Sequence, residues 1–257
     1  MEYRNGFIKE AAIVYILWLL GIILANSLMA EPETYRIGNI IYLTAVVISS
    51  ILLPLKLCKK RGIKLIFFPE KVRIKGIVSS LILFAIMAGF GVMSLRDYGL
   101  TAGDIFRKEL WYHLSFILLF LCTMTGYTIL WFGYFYQGFL HYSGENRKGR
   151  IISIVVSSAL YSGYHFTSLI DQYASVSEMF STMFFTLIIG ILIGAHLIFE
   201  KSLITVFIAM YIINFFVFFP KEEYHHGFFQ SMESPIILLF ICGTAFLYSH
   251  SGEANKT

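Results

Sequence analysis

A chain of 257 residues with 57% hydrophobic, 17% aromatic and 14% charged residues, and a mean hydropathy of +0.72, cannot coat a soluble surface; soluble domains carry about 25% charged residues. Twenty Lys and Arg against sixteen Asp and Glu leave a net charge of +4. This excludes an ordinary soluble enzyme, a disordered chain and a disulfide scaffold, and leaves an all-α, polytopic integral membrane protein, helical because the apolar runs are long.

The apolar runs fall at 11–29, 38–57, 76–95, 111–142, 151–170, 179–199, 202–219 and 235–250, so about eight transmembrane helices are predicted. A short charged N-terminal stretch precedes the first run; with no small-residue cleavage site before a polar region, it reads as the first span. The run at 111–142 is too long for a simple crossing, so part of it must tilt or leave the bilayer. Cys58, Cys122 and Cys242 lie at or inside apolar segments without paired spacing and read as small apolar residues. No repeat or linker divides the chain, so 1–257 is treated as one membrane domain.

With the N-terminus cytoplasmic, fifteen of the twenty Lys and Arg fall in inside segments and five outside. Lys56, Lys59, Lys60, Arg61, Lys64, Lys71, Arg73 and Lys75 make up most of the excess, and Arg147, Lys148 and Arg150 add to it. The positive-inside rule therefore places both termini in the cytoplasm, with the cell membrane as the expected location. Membrane lipids are the expected surroundings. The basic residues flank apolar runs, which points to topology and away from nucleic acid.

Polar groups inside apolar helices are costly and are the first place to look for function. Gln137 stands near the end of the fourth run. Tyr161 and His165 share a face of the fifth, four residues apart. Gly190 and Gly194 form a small-xxx-small pair on the sixth, which admits a close neighbour, and His196 follows at the expected interface. Met210 and Asn214 are four apart on the seventh. Each polar group has a bland reading as an interhelical hydrogen bond.

The order and spacing of these pieces over 131–214 resemble the CPBP (Abi) family, the CAAX proteases and bacteriocin-processing or immunity membrane proteins. That family carries Glu-Glu-x-x-x-Arg-Gly on one helix, Phe-x-x-x-His on the next, and His-x-x-x-Asn after a Gly-x-x-x-Gly helix. Gly138 matches the first motif's Gly, with Gln137 at the Arg position and Phe132 and Gly133 at the two Glu positions. Tyr161 replaces Phe while His165 is retained. Gly190, Gly194 and Ser202-Leu203 match the helix and turn before the third motif, in which Met210 replaces His and Asn214 is retained. In the family the Glu is taken as the base that activates water, the second-motif His orients that water, and the third-motif His and Asn stabilise the oxyanion. By that resemblance no catalytic set is intact here: only His165 and Asn214 survive. Removing one member of a buried charge pair costs about 3–5 kcal/mol, and here both members are replaced by neutral residues, as in a cavity repacked as a set.

Three functional readings follow. The first is a CPBP-like protein without peptidase activity that binds a membrane-protein partner, a bacteriocin-like peptide or a lipidated (prenylated) peptide. The second is a rewired endopeptidase with His165 as base and Asn214 as oxyanion donor. The third, a transporter or channel, needs a polar path that the spans do not supply. No cofactor is expected. No metal is expected either, since His165, Asp171, His225 and His226 lack ligand spacing. Glu222-Glu223 echoes the first motif but lacks the Arg and follows the third. Asp171 and Glu178 could approach His165 from outside.

Overall fold

The computed structural model describes residues 2–29, 33–69, 73–97, 110–169 and 175–218, and among these every regular element is helical. In chain order they are α1 (Glu2–Met29), α2 (Tyr35–Ala45), a π-helical segment (Val46–Leu52), α3 (Leu53–Arg61), α4 (Ile74–Asp97), α5 (Leu110–Tyr127), a second π-helical segment (Thr128–Tyr136), α6 (Gln137–Ser143), α7 (Arg147–Gly163), a 3₁₀ turn (Tyr164–Leu169), α8 (Val176–Phe199) and α9 (Leu203–Phe218). The expected eight spans are corrected to four stretches long and apolar enough to cross a membrane among the described residues: Gly6–Met29, Ile37–Arg61, Ile74–Met93 and Val176–Phe199. Between 22% and 39% of each stretch's most apolar window is buried within the molecule. Most of that apolar surface therefore faces outward, as it would toward lipid.

The other four runs differ for separate reasons. The run at 151–170 lies on α7, whose first turn holds Arg147, Lys148 and Arg150 and whose α-helix closes at Gly163. The run at 202–219 becomes the shorter apolar stretch Leu203–Phe215. The run at 111–142 follows α5, the second π segment and α6, which continue one another from Leu110 to Ser143. The run at 235–250 lies outside the described residues, as do Asp171, Glu222, Glu223, His225 and His226.

Helix ends follow local chemistry. Gly62 takes φ of +68° just past α3, and Ile63 N–H donates to Cys58 O at 2.9 Å, so the left-handed residue closes the helix and buries Ile63. Asn146 caps α7 by accepting from Gly149 N–H at 2.8 Å. Ser175 and Glu178 form a reciprocal capping box at the start of α8. Glu178 is thereby engaged at its own helix end. The first N–H groups of α9 are satisfied across the fold: Leu203 N–H donates to Ile66 O at 2.9 Å and Ile204 N–H to Phe67 O at 3.0 Å.

One end of the bundle gathers the basic segments. Arg61 Nε donates to Glu10 Oε2 at 2.6 Å, Lys60 Nζ reaches Glu10 Oε1 at 3.2 Å, and Arg61 also donates to the Tyr142 hydroxyl at 3.2 Å. These bonds tie α1, α3 and α6 together. Lys201 Nζ bonds Glu145 at 2.9 Å at the surface and holds that carboxyl below its ordinary value. The Arg61 side chain is only 13% exposed, so its bonds are partly shielded from solvent. Arg61→Ala is expected to lower stability by about 1–2 kcal/mol, with Arg61→Lys recovering only part because an ammonium lacks the planar fork. Denaturation in detergent at low and high salt checks this.

The α7–α8 contact is the closest helix pairing that the sequence announces. A Cβ at Gly190 would lie 2.9 Å from Ser158 Cβ, and one at Gly194 would lie 3.0 Å from the Ile154 side chain. Ser153, Ser157 and Ser158 on the facing stripe are fully buried. Ser162 Oγ adds a 2.6 Å bond to Met183 O.

Candidate functional site

The two positions matching the family's glutamates, Phe132 and Gly133, fall in the middle of the second π segment, and all nine of its residues are buried. An i→i+5 stretch longer than one turn is rare, and π-bulges concentrate at functional sites. Phe132 is 0% exposed. Its ring lies 5.9 Å from that of Tyr161. The Tyr161 hydroxyl, also buried, donates to Met210 Sδ at 3.9 Å, and Met210 is 0% exposed. Thus the positions matching the base, the second-motif aromatic and the third-motif His do converge, from three helical elements. They meet as ring against ring and hydroxyl against thioether in one hydrophobic cluster.

The remaining motif positions lie around this cluster. Gly133 faces Leu65 and Leu203, with a Cβ position 3.3 Å from Leu65 Cδ2. Gln137 opens α6 and is half-buried. Gly138 is covered by the Phe7 ring, which occupies the space a side chain would need. His165 lies beyond the end of α7, in the 3₁₀ turn, its ring tilted 32° against that of Tyr164 with centres 4.0 Å apart and 6.2 Å from Tyr161. Asn214 turns its amide back on its own helix: Nδ2 donates to Met210 O at 2.7 Å. The two retained residues therefore border the cluster, and one of the two Asn214 amide hydrogens is used within α9.

The aromatic layer continues away from the motif. Trp18 packs edge-on against Trp131 at 5.1 Å and against Tyr164 at 5.0 Å. Thr128 Oγ1, Trp131 Nε1 and Tyr134 Oη, all on the π segment, are buried without a hydrogen-bond partner among the described residues. Buried polar atoms seldom go unsatisfied, so this segment carries an unusual cost. On its other side, an apolar groove of about 300 Å³ opens between α1, α6 and α7, lined by Ala12, Tyr15, Phe135, Phe139, Val156 and Leu160 among others.

Sequence reasoning missed a second polar cluster. His196, expected at the interface, is 3% exposed and bonded at both ring nitrogens: Nδ1 to Ser79 Oγ at 2.8 Å and Nε2 to Thr205 Oγ1 at 2.9 Å. Glu200, 7% exposed, places its carboxylate where a Cβ of Gly76 would stand, at the first turn of α4. The only sequence signal was a His and a Glu four residues apart at the end of an apolar helix. Among the described residues no group of three or more His, Cys, Asp or Glu could hold a metal ion. No family model, curated protein or solved structure matches the chain.

Proposed function

We propose that this chain is an integral membrane protein with a CPBP-like core that has lost peptidase chemistry and acts by binding a lipidated peptide. The observation that carries the reading is the packed Phe132–Tyr161–Met210 cluster, in which the positions matching a base and the third-motif His are held by side chains in apolar contact. The rewired-endopeptidase alternative has less support, because Asn214 turns its amide back onto Met210 O of its own helix, which engages one of its two N–H donors. The groove between α1, α6 and α7 supports the choice of ligand. It is apolar almost throughout, it abuts the same π segment through Phe135, and a hydrocarbon chain needs no polar partner there. The positive-inside rule puts the basic end of the bundle, with Lys60, Arg61 and Arg147, in the cytoplasm.

Purified protein is expected to leave prenylated and unmodified peptides uncut while retaining the prenylated form. Ala12→Phe, which fills the groove, is expected to weaken retention about tenfold or more, the loss of about 1.4 kcal/mol. Peptide cleavage abolished by His165→Ala would overturn the reading. Equal retention of prenylated and unmodified peptide would remove the lipidated ligand from it.

A further inference from the structure

The heavy-atom contacts of the Ser79–His196–Thr205 chain favour one proton arrangement. Thr205 Oγ1 donates its single hydrogen to Ser202 O at 2.8 Å. It must then accept at its 2.9 Å contact with His196, so Nε2 carries the ring proton. Nδ1 is consequently the bare nitrogen, and at 2.8 Å it accepts from the Ser79 hydroxyl. Ser202 is itself fixed, fully buried and donating to Phe67 O at 2.9 Å. A serine hydroxyl aimed at an unprotonated imidazole nitrogen, with the far nitrogen held by an anchored acceptor, is the geometry of an activated nucleophile.

The surroundings fit such chemistry. Glu200 follows His196 by four residues at the end of α8, is 7% exposed, and packs its carboxylate against Gly76 on α4. Lys75 is one helical turn before Ser79 on α4 and exposed. Ser79 is half-buried, and the neighbouring Ile77, Val78 and Ile82 are exposed apolar side chains.

We infer that Ser79 and His196 form a nucleophile–base pair that hydrolyses carboxylic esters bearing an apolar acyl chain. Ser79 Oγ attacks the ester carbonyl carbon while its proton passes to His196 Nδ1. The carbon–oxygen bond to the alcohol breaks, Nδ1 returns the proton to the departing alkoxide, and an acyl-Ser79 remains. Water then attacks that acyl group, giving its proton to Nδ1, and the acid leaves as Ser79 Oγ takes the proton back. Thr205 is a positioning residue that selects the reactive tautomer. The site is separate from the Phe132–Tyr161–Met210 cluster and does not depend on how that cluster is read.

The test treats the full chain in detergent with an alkyl fluorophosphonate and maps the adduct by peptide mass spectrometry. The expected result is labelling at Ser79, absent in Ser79→Ala and unaffected by Ser27→Ala on the exposed face of α1. His196→Gln is expected to slow labelling about 100-fold or more, the scale of a general base. Thr205→Val is expected to slow it and shift its pH profile, with Thr205→Ser restoring both. Thermal melts establish that the variants fold; should His196→Gln not fold, Thr205→Val decides. An unlabelled Ser79 in the wild-type protein, or labelling at the wild-type rate in folded His196→Gln or Thr205→Val, overturns the inference.

Discussion

Phe132→Glu is expected to destabilise the protein by roughly 3–5 kcal/mol, the cost of an uncompensated buried charge. The ring is 0% exposed and packs on Tyr161, whose hydroxyl is already directed at Met210 Sδ, so no positive charge among the described residues stands ready to balance a carboxylate. Phe132→Leu keeps the site apolar and removes only part of the volume, so its expected cost is about 1–1.5 kcal/mol. Phe132→Gln separates charge from polarity and should fall between the two. Equilibrium unfolding in mild detergent measures all three. Near-equal costs for Glu and Leu would mean that water reaches Phe132, and the dry cluster would be refuted. Placing one charge there alone should be worse than having none.

Gly190→Val is expected to cost about 2–3 kcal/mol, at the upper end for overpacking. The Cβ position lies 2.9 Å from Ser158 Cβ and 3.1 Å from Ser158 Cα. The obstacle is the α7 backbone itself, so no rotamer change relieves it; α7 and α8 must part. Gly190→Ala should cost about 1 kcal/mol, and Ser158→Gly should recover part of that loss. Ser158→Ala, which keeps the Cβ, should not. A double-mutant cycle on Gly190→Ala and Ser158→Gly measures the coupling. Additive costs would show that the helices do not touch at this pair.

Much of the helical content could be read from the sequence, because long apolar runs report directly on helices that bury only one side. The small-residue stripe of Gly190 and Gly194 was legible for the same reason: close approach leaves a local signature at four-residue spacing. What escaped was non-local. No periodicity announces a π segment, since its residues are those of any aromatic-rich helix. Nothing near His196 points to Ser79, 117 positions earlier in the chain, because that bond depends on how α4 and α8 lie against each other. The expected span count failed where a run of suitable composition, such as 151–170, is divided by a change of helix type after Gly163.

The bonds from Leu203 and Ile204 to the carbonyls of Ile66 and Phe67 have a consequence for biosynthesis. The ribosome delivers the acceptors well over a hundred residues before their donors exist. Until then the two carbonyls need water or a helper protein, since backbone acceptors cannot wait in hydrocarbon. The segment after Gly62 is therefore held at the aqueous edge while the intervening helices are made, and the bundle closes only when α9 arrives. A nascent chain halted before Leu203 should leave 63–69 open to protease, and one extended past Phe218 should protect it.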